Sequence, residues 1–169
     1  MQGQAIFVGI GGNLPSVRFG APPASFVAAL DRLSALGVVT VAVSRWYCSD
    51  PLPPSAQPAY INGVAAVQSR LEPVQLLAAL HATEAEFGRV RRQVNEARCL
   101  DLDLLAFGEV VSDGSNGLHL PHPRLAERAF VLLPWAELAP DWRHPCSGRT
   151  VSEMLRALPG DQAIALLGS

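Results

Sequence analysis

The run Leu100-Asp101-Leu102-Asp103-Leu104 constrains this chain more than any other stretch. Its strict alternation has the period of a β-strand, in which side chains two residues apart share one face. The leucines therefore turn to a core and both carboxylates turn to the opposite side. They stand roughly 7 Å apart along the backbone, from a rise of about 3.4 Å per residue. Like charges held this way are unfavourable unless a cation sits with them. Magnesium, which takes one or two carboxylates together with phosphate oxygens and water, suits such a pair. A half-exposed strand with two solvated aspartates shows the same alternation, so the neighbouring residues have to decide between the readings.

Those neighbours are arginines. Arg89, Arg91, Arg92 and Arg98 lie just upstream, and a guanidinium is a planar fork suited to phosphate oxygens and to charge spreading during phosphoryl transfer. An arginine cluster alone is commonly a solvated face; beside an Asp-x-Asp strand, phosphate binding is the better account. Leu118-His119-Leu120-Pro121-His122-Pro123-Arg124 and Arg128 add further donors. A zinc site built from these histidines with His144 and Cys146 is conceivable, but their spacing follows no strong ligand motif. All 13 basic residues are arginine, which excludes a Walker phosphate loop, a kinase-type strand lysine and Schiff-base chemistry. Gly9-Ile10-Gly11-Gly12-Asn13 lacks the third glycine of a dinucleotide fingerprint, where Leu14 stands, and reads as a tight turn. Tyr60 and Asn62 share a strand face and together suit a flat heterocycle, although both are also ordinary strand residues.

The other segments fit one α+β domain over residues 1–169. Residues 5–10, 38–47, 60–67 and 100–107 read as strands. Phe26, Val27, Leu30, Leu33 and Leu36 give one helical face, closed by Gly37. Leu76, Leu77, Leu80 and Phe87 give another within 72–87, closed by Gly88. A proline-rich loop at 51–58, a hairpin near 108–119, a helical segment around 130–135 and a short helix after Thr150 complete the pattern. Two strand-helix-strand units imply helices packed on an antiparallel or mixed sheet. Net charge of −2 gives no global field for nucleic acid or an anionic membrane. Three cysteines without paired spacing fit a reducing cytosol, and no leader or membrane-spanning run is evident. A soluble cytoplasmic protein is expected.

In order along the chain, four elements resemble the 6-hydroxymethyl-7,8-dihydropterin pyrophosphokinases of folate biosynthesis. They are Gly11-Gly12-Asn13-Leu14, similar to that family's Gly-Ser-Asn-Leu; Gln57-Pro58-Ala59-Tyr60-Ile61-Asn62; Arg98-Cys99-Leu100-Asp101-Leu102-Asp103-Leu104; and Pro121-His122-Pro123 through Arg128-Ala129-Phe130. The likeness runs from about residue 5 to about residue 156. It implies a ferredoxin-like sandwich with helices on a mainly antiparallel sheet, and transfer of the β,γ-diphosphoryl group of ATP to the pterin hydroxymethyl oxygen, leaving AMP. It further implies two Mg2+ ions on Asp101 and Asp103, and catalytic roles for Arg89, Arg98, Asp101 and Asp103. ATP contacts are implied for Glu84, Arg91, Arg98, Leu104, His122 and Arg128, and pterin contacts for Ser49, Asp50, Leu52, Tyr60, Asn62 and Phe130. The family habit is a monomer whose partners are these two small molecules. The chain departs from the pattern before the acidic strand, where Val94-Asn95-Glu96-Ala97-Arg98 has no tryptophan, at Asp50, where proline is frequent, and around Gly117-Leu118-His119.

The mechanism so implied rests on positioning and electrostatics and needs no strong protein base. Loops at 11–20, 48–58 and 89–98 are candidates for closure over substrates. Two readings of another class are an RNA-binding ferredoxin-like module, which lacks the expected aromatic strand motif and positive charge, and a silent pterin or nucleotide binder, which would have no use for the paired aspartates.

Overall fold

The structure, a computed structural model, describes residues 4–89 and 96–168. The first apolar run forms β1 (Ile6–Gly12) and leads through α1 (Ala24–Ala35) to β2 (Val38–Val43) and β3 (Tyr47–Ser49). Then come β4 (Tyr60–Ser69), α2 (Pro73–Glu86) and β5 (Asp101–Phe107). A two-stranded hairpin of β6 (Ser112–Asp113) and β7 (His119–Leu120) precedes α3 (Ala129–Leu138), α4 (Val151–Arg156) and β8 (Ile164–Leu166). The main sheet runs β5-β1-β4-β3-β8, with β2 also on β4, and every pairing is antiparallel. The β-α-β-β-α-β core with β1 and β4 central is the ferredoxin-like arrangement.

Two cores lie on opposite faces of the sheet. Ile6, Val8 and Ile10 of β1 and Leu102 and Leu104 of β5 pack with Phe26, Leu30 and Leu33 of α1 and Leu76 and Leu80 of α2. Phe7, Val64 and Leu105 pack on the other face with Leu132 and Trp135 of α3 and Val151 and Met154 of α4. Helix starts follow local chemistry. Glu72 with Gln75 forms a capping box ahead of Pro73, and Thr150 with Glu153 forms another. The stops at Gly37 and Gly88 take φ of 85° and 87°, where a side chain would be strained.

The structure departs from the sequence expectation in four places. The strand expected over 38–47 is two strands, because Ser44 turns its hydroxyl to the Val64 amide at 3.0 Å and Trp46 folds over Gly63 onto Phe26. Val27, expected on the buried face of α1, is 52% exposed, and Ala29 takes the inward position. In β5 the alternation is reset: Phe7 pairs with Ala106 and Val8 with Leu104, leaving Leu105 as the extra residue of a bulge. Gly9, Gly11 and Gly12 are strand residues of β1, not a turn.

Gly12 is required by close approach. A Cβ there would meet the Cys99 carbonyl oxygen at 2.5 Å, while Asn13 and Leu14 both donate to the Arg98 carbonyl at 2.9 and 3.1 Å. Gly12→Ala is therefore expected to lower stability by about 1–3 kcal/mol through overpacking. Urea unfolding should show a lower midpoint at unchanged slope.

Candidate active site

Antiparallel register lines up side chains in rows across the sheet. Asp101 of β5 stands opposite Gly11 of β1, which stands opposite Asn62 of β4, which stands opposite Tyr47 of β3. In the next row Asp103 faces Gly9 and Gly9 faces Val64, while toward the strand ends Tyr60 faces Ser49. All lie on one face, where α3 and α4 cover Val64 and α3 reaches Tyr47 while the strand ends toward Asp101 and Tyr60 open to a pocket. The acids and the Tyr60/Asn62 pair are thus separated by glycines, and a Cβ on Gly11 would come within 3.1 Å of Asn62 Oδ1. The result is a pocket of about 660 Å³, a size suited to a small-molecule ligand.

Ser49, Asp50, Leu52, Tyr60, Asn62, Arg98, Asp101, Asp103, Arg128 and Phe130 all line this pocket. Asn62 donates to Ser49 Oγ at 2.8 Å, which leaves its carbonyl leaning over Gly11. The two aromatics each pair with an arginine: Arg98 lies over Tyr60 with 6.0 Å to the ring centroid, and Arg128 over Phe130 with 5.5 Å. His122 is outside the pocket lining but anchored to β5, its amide donating to the Leu105 carbonyl at 2.9 Å. Leu104 is buried in the first core. Arg91, and Arg92 beside it, lie outside the described residues.

The carboxylates are held by cations from three segments. Asp101 pairs with Arg89, and with Arg98 at 3.0 Å; Asp103 lies 4.0 Å from Arg128. Arg89 is itself held by Glu84 at 2.6 Å. Glu84, 2% exposed on α2, also accepts the Leu102 amide at 2.7 Å on the open edge of β5. Glu84 thus reaches the site through Arg89 and the strand backbone.

Burial, then the charge of Asp101, raises the Asp103 carboxyl from its ordinary 3.8 to about 7, with Arg128 opposing. Burial, then Arg128, lowers the His122 imidazole to about 4. His122 is therefore neutral near pH 7. Its Nδ1 accepts the Arg124 amide at 3.2 Å, so the proton belongs on Nε2 and makes it a neutral donor.

Among the described residues, no group of three or more His, Cys, Asp or Glu side chains could hold a metal ion. That removes the zinc reading for them. A lone pair of carboxylates fits Mg2+, a hard cation that leaves its other positions to phosphate and water.

Sequence reasoning missed two features here. Gly11 clears the pocket floor, while the Leu105 side chain lies over Gly9; the signal was a glycine at the end of a strand run. Asn13, 7% exposed, donates to Gln57 Oε1 at 3.2 Å and the Pro58 carbonyl at 3.0 Å, and accepts the Arg98 amide at 2.9 Å. It ties the loop before Tyr60 to the segment before Asp101, a contact that no local pattern reveals.

A family model described as 7,8-dihydro-6-hydroxymethylpterin-pyrophosphokinase (HPPK) matches residues 7–140. The chain belongs to this family. It is 46% identical over 157 residues to a 2-amino-4-hydroxy-6-hydroxymethyldihydropteridine pyrophosphokinase of Pseudomonas aeruginosa, covering 92% of this chain and 93% of that one. A Synechocystis protein of the same name is 39% identical, over 88% of this chain and 73% of its own. The crystal structure of wild-type Plasmodium falciparum HPPK-DHPS superposes with a TM-score of 0.68 at 10% identity, over 92% of this chain and 44% of that one. That last likeness concerns the fold.

The raised Asp103 carboxyl has a consequence for stability. Folding disfavours its ionised form, so stability is lost as pH rises from about 4 to 7. Asp103→Asn removes this loss. In metal-free buffer the variant should melt higher than wild type at pH 8, with the gap shrinking toward pH 4 in thermal melts.

Proposed function

We propose that this chain transfers the diphosphoryl group of ATP to the hydroxymethyl oxygen of 6-hydroxymethyl-7,8-dihydropterin, releasing AMP, as a single pyrophosphokinase domain of folate biosynthesis. The observation that carries the reading is the row Asn62–Gly11–Asp101. It sets a hydrogen-bonding, aromatic-flanked slot directly beside paired carboxylates, with only glycine between.

In this reading the pterin ring lies between Tyr60 and Phe130, and Asn62 reads its polar edge, with Ser49, Asp50 and Leu52 completing the slot. The hydroxymethyl group then points along the glycine row toward Asp101 and Asp103. Bound Mg2+, two ions in this reading, would be held by these carboxylates and neutralise phosphate charge. Arg89, Arg98 and Arg128 donate to the triphosphate from guanidinium hydrogens beyond those the aspartates take, and Arg91 serves the ATP with them. His122 donates its Nε2 hydrogen as a neutral group. Glu84 and Leu104 serve the nucleotide side, Glu84 by fixing Arg89. The pterin oxygen attacks the β-phosphorus in line, and correct placement supplies most of the acceleration. Three free cysteines, Cys48, Cys99 and Cys146, fit a reducing cytoplasm. No helix among the described residues is long and apolar enough to cross a membrane. The enzyme acts as a monomer on its two small substrates.

ATP-to-AMP conversion should require both reduced hydroxymethylpterin and Mg2+; conversion without pterin would overturn the reading. Asp103→Ala should lower kcat by at least about a hundredfold, the scale for removing a group that stabilises transition-state charge. Arg98→Ala should slow the single-turnover rate, and an unchanged rate would remove Arg98 from the chemistry.

A further inference from the structure

Helix α3 carries two pocket residues at its start, Arg128 as its N-cap and Phe130 in its first turn, yet Arg128 makes no capping hydrogen bond with its side chain. The first amide hydrogens of a helix need an acceptor from elsewhere. Gln162, more than thirty residues on, supplies it. Its Oε1 accepts the Ala129 amide at 2.8 Å, and its Nε2 donates to the Glu127 carbonyl at 2.8 Å. One carboxamide thus grips the backbone on both sides of Arg128. Gln162 is itself set in place by the strand that follows it. Ile164, Ala165 and Leu166 of β8 pair with Ser49, Cys48 and Tyr47 of β3, and the Leu167 amide donates to the Trp46 carbonyl at 2.9 Å. Gln162 also lines the pocket. It lies beyond residue 140, where the family match ends.

We propose that Gln162 is a positioning residue of the active site: by capping α3 from the C-terminal segment it aims Phe130 at the pterin and Arg128 at the phosphate side. The proposal rests on the assignment of the pocket made above. Gln162 need touch neither substrate. Its carboxamide removes the freedom of the α3 start, so that the pterin does not have to order Phe130 on binding, a saving that shows directly as affinity.

The test combines hydrogen exchange with pterin binding measured by calorimetry in the presence of Mg2+ and a non-hydrolysable ATP analogue. In Gln162→Ala, the Ala129 amide should exchange faster and pterin affinity should fall about tenfold, the scale of a lost helix cap of ordinary strength. In a Phe130→Ala background the same change should cost less than about twofold, because Gln162 acts through that ring. Gln162→Met keeps the length of the side chain but neither of its hydrogen bonds to the Ala129 amide and the Glu127 carbonyl, and should lose pterin affinity about as Gln162→Ala does. Equal losses in both backgrounds, unchanged affinity in Gln162→Ala, or wild-type affinity in Gln162→Met would overturn the proposal. Should Gln162→Ala fail to fold, Gln162→Met decides, with wild-type affinity overturning the proposal. Wild-type protein that bound no pterin would instead overturn the assignment of the pocket, while Ala129 exchange would still report the cap.

Discussion

Two carboxylates fixed on one face of an edge strand repel each other, and much of this structure answers that repulsion. Arg89 follows α2, Arg98 precedes β5 and Arg128 precedes α3, yet all three converge on Asp101 and Asp103. Glu84 steadies Arg89 and at the same time satisfies a backbone amide on the open edge of β5. The balance is uneven. Among the described residues Asp101 has two close guanidiniums, whereas Asp103 has one at 4.0 Å and carries the raised carboxyl. The pair is therefore held together with both acids lining the pocket, an arrangement that suits a divalent cation with phosphate.

The second requirement is room. A sheet face covered by helices normally has no space for a ligand, because side chains close-pack. Here α3 and α4 cover only the end carrying Phe7, Val64 and Leu105. Beyond it, Gly11 removes the side chain that would fill the middle of the row between Asp101 and Asn62. The bulge at Leu105 separates the two regimes within β5 itself, with aspartates before it and an apolar pair after it. Arg98 over Tyr60 and Arg128 over Phe130 then join the aromatic half of the pocket to its charged half. A shift at either aromatic is felt by an arginine on the charged side.

What the sequence by itself determined was what depends on local period and side-chain chemistry. Leu100-Asp101-Leu102-Asp103-Leu104 required a strand with acids on one face. Heptad-like apolar spacing and closing glycines located α1 and α2, and the Tyr60/Asn62 spacing put both on one face of β4. Local pattern failed where partners were distant. The strand expected over 38–47 broke because Trp46 finds Phe26 and Gly63, and Val27 turned outward because the sheet meets α1 on its other side. The glycines read as a turn because the vacancy at Gly11 has meaning only between Asn62 and Asp101. Tertiary structure alone decided that the arginines converge on the acids, that Asn13 ties two loops, and that Gln162 caps α3. The last two depend on contacts between segments more than thirty residues apart, which no local window contains, while Arg89 and Arg98 lie close to the acids in sequence and only the fold brings Arg128 to join them.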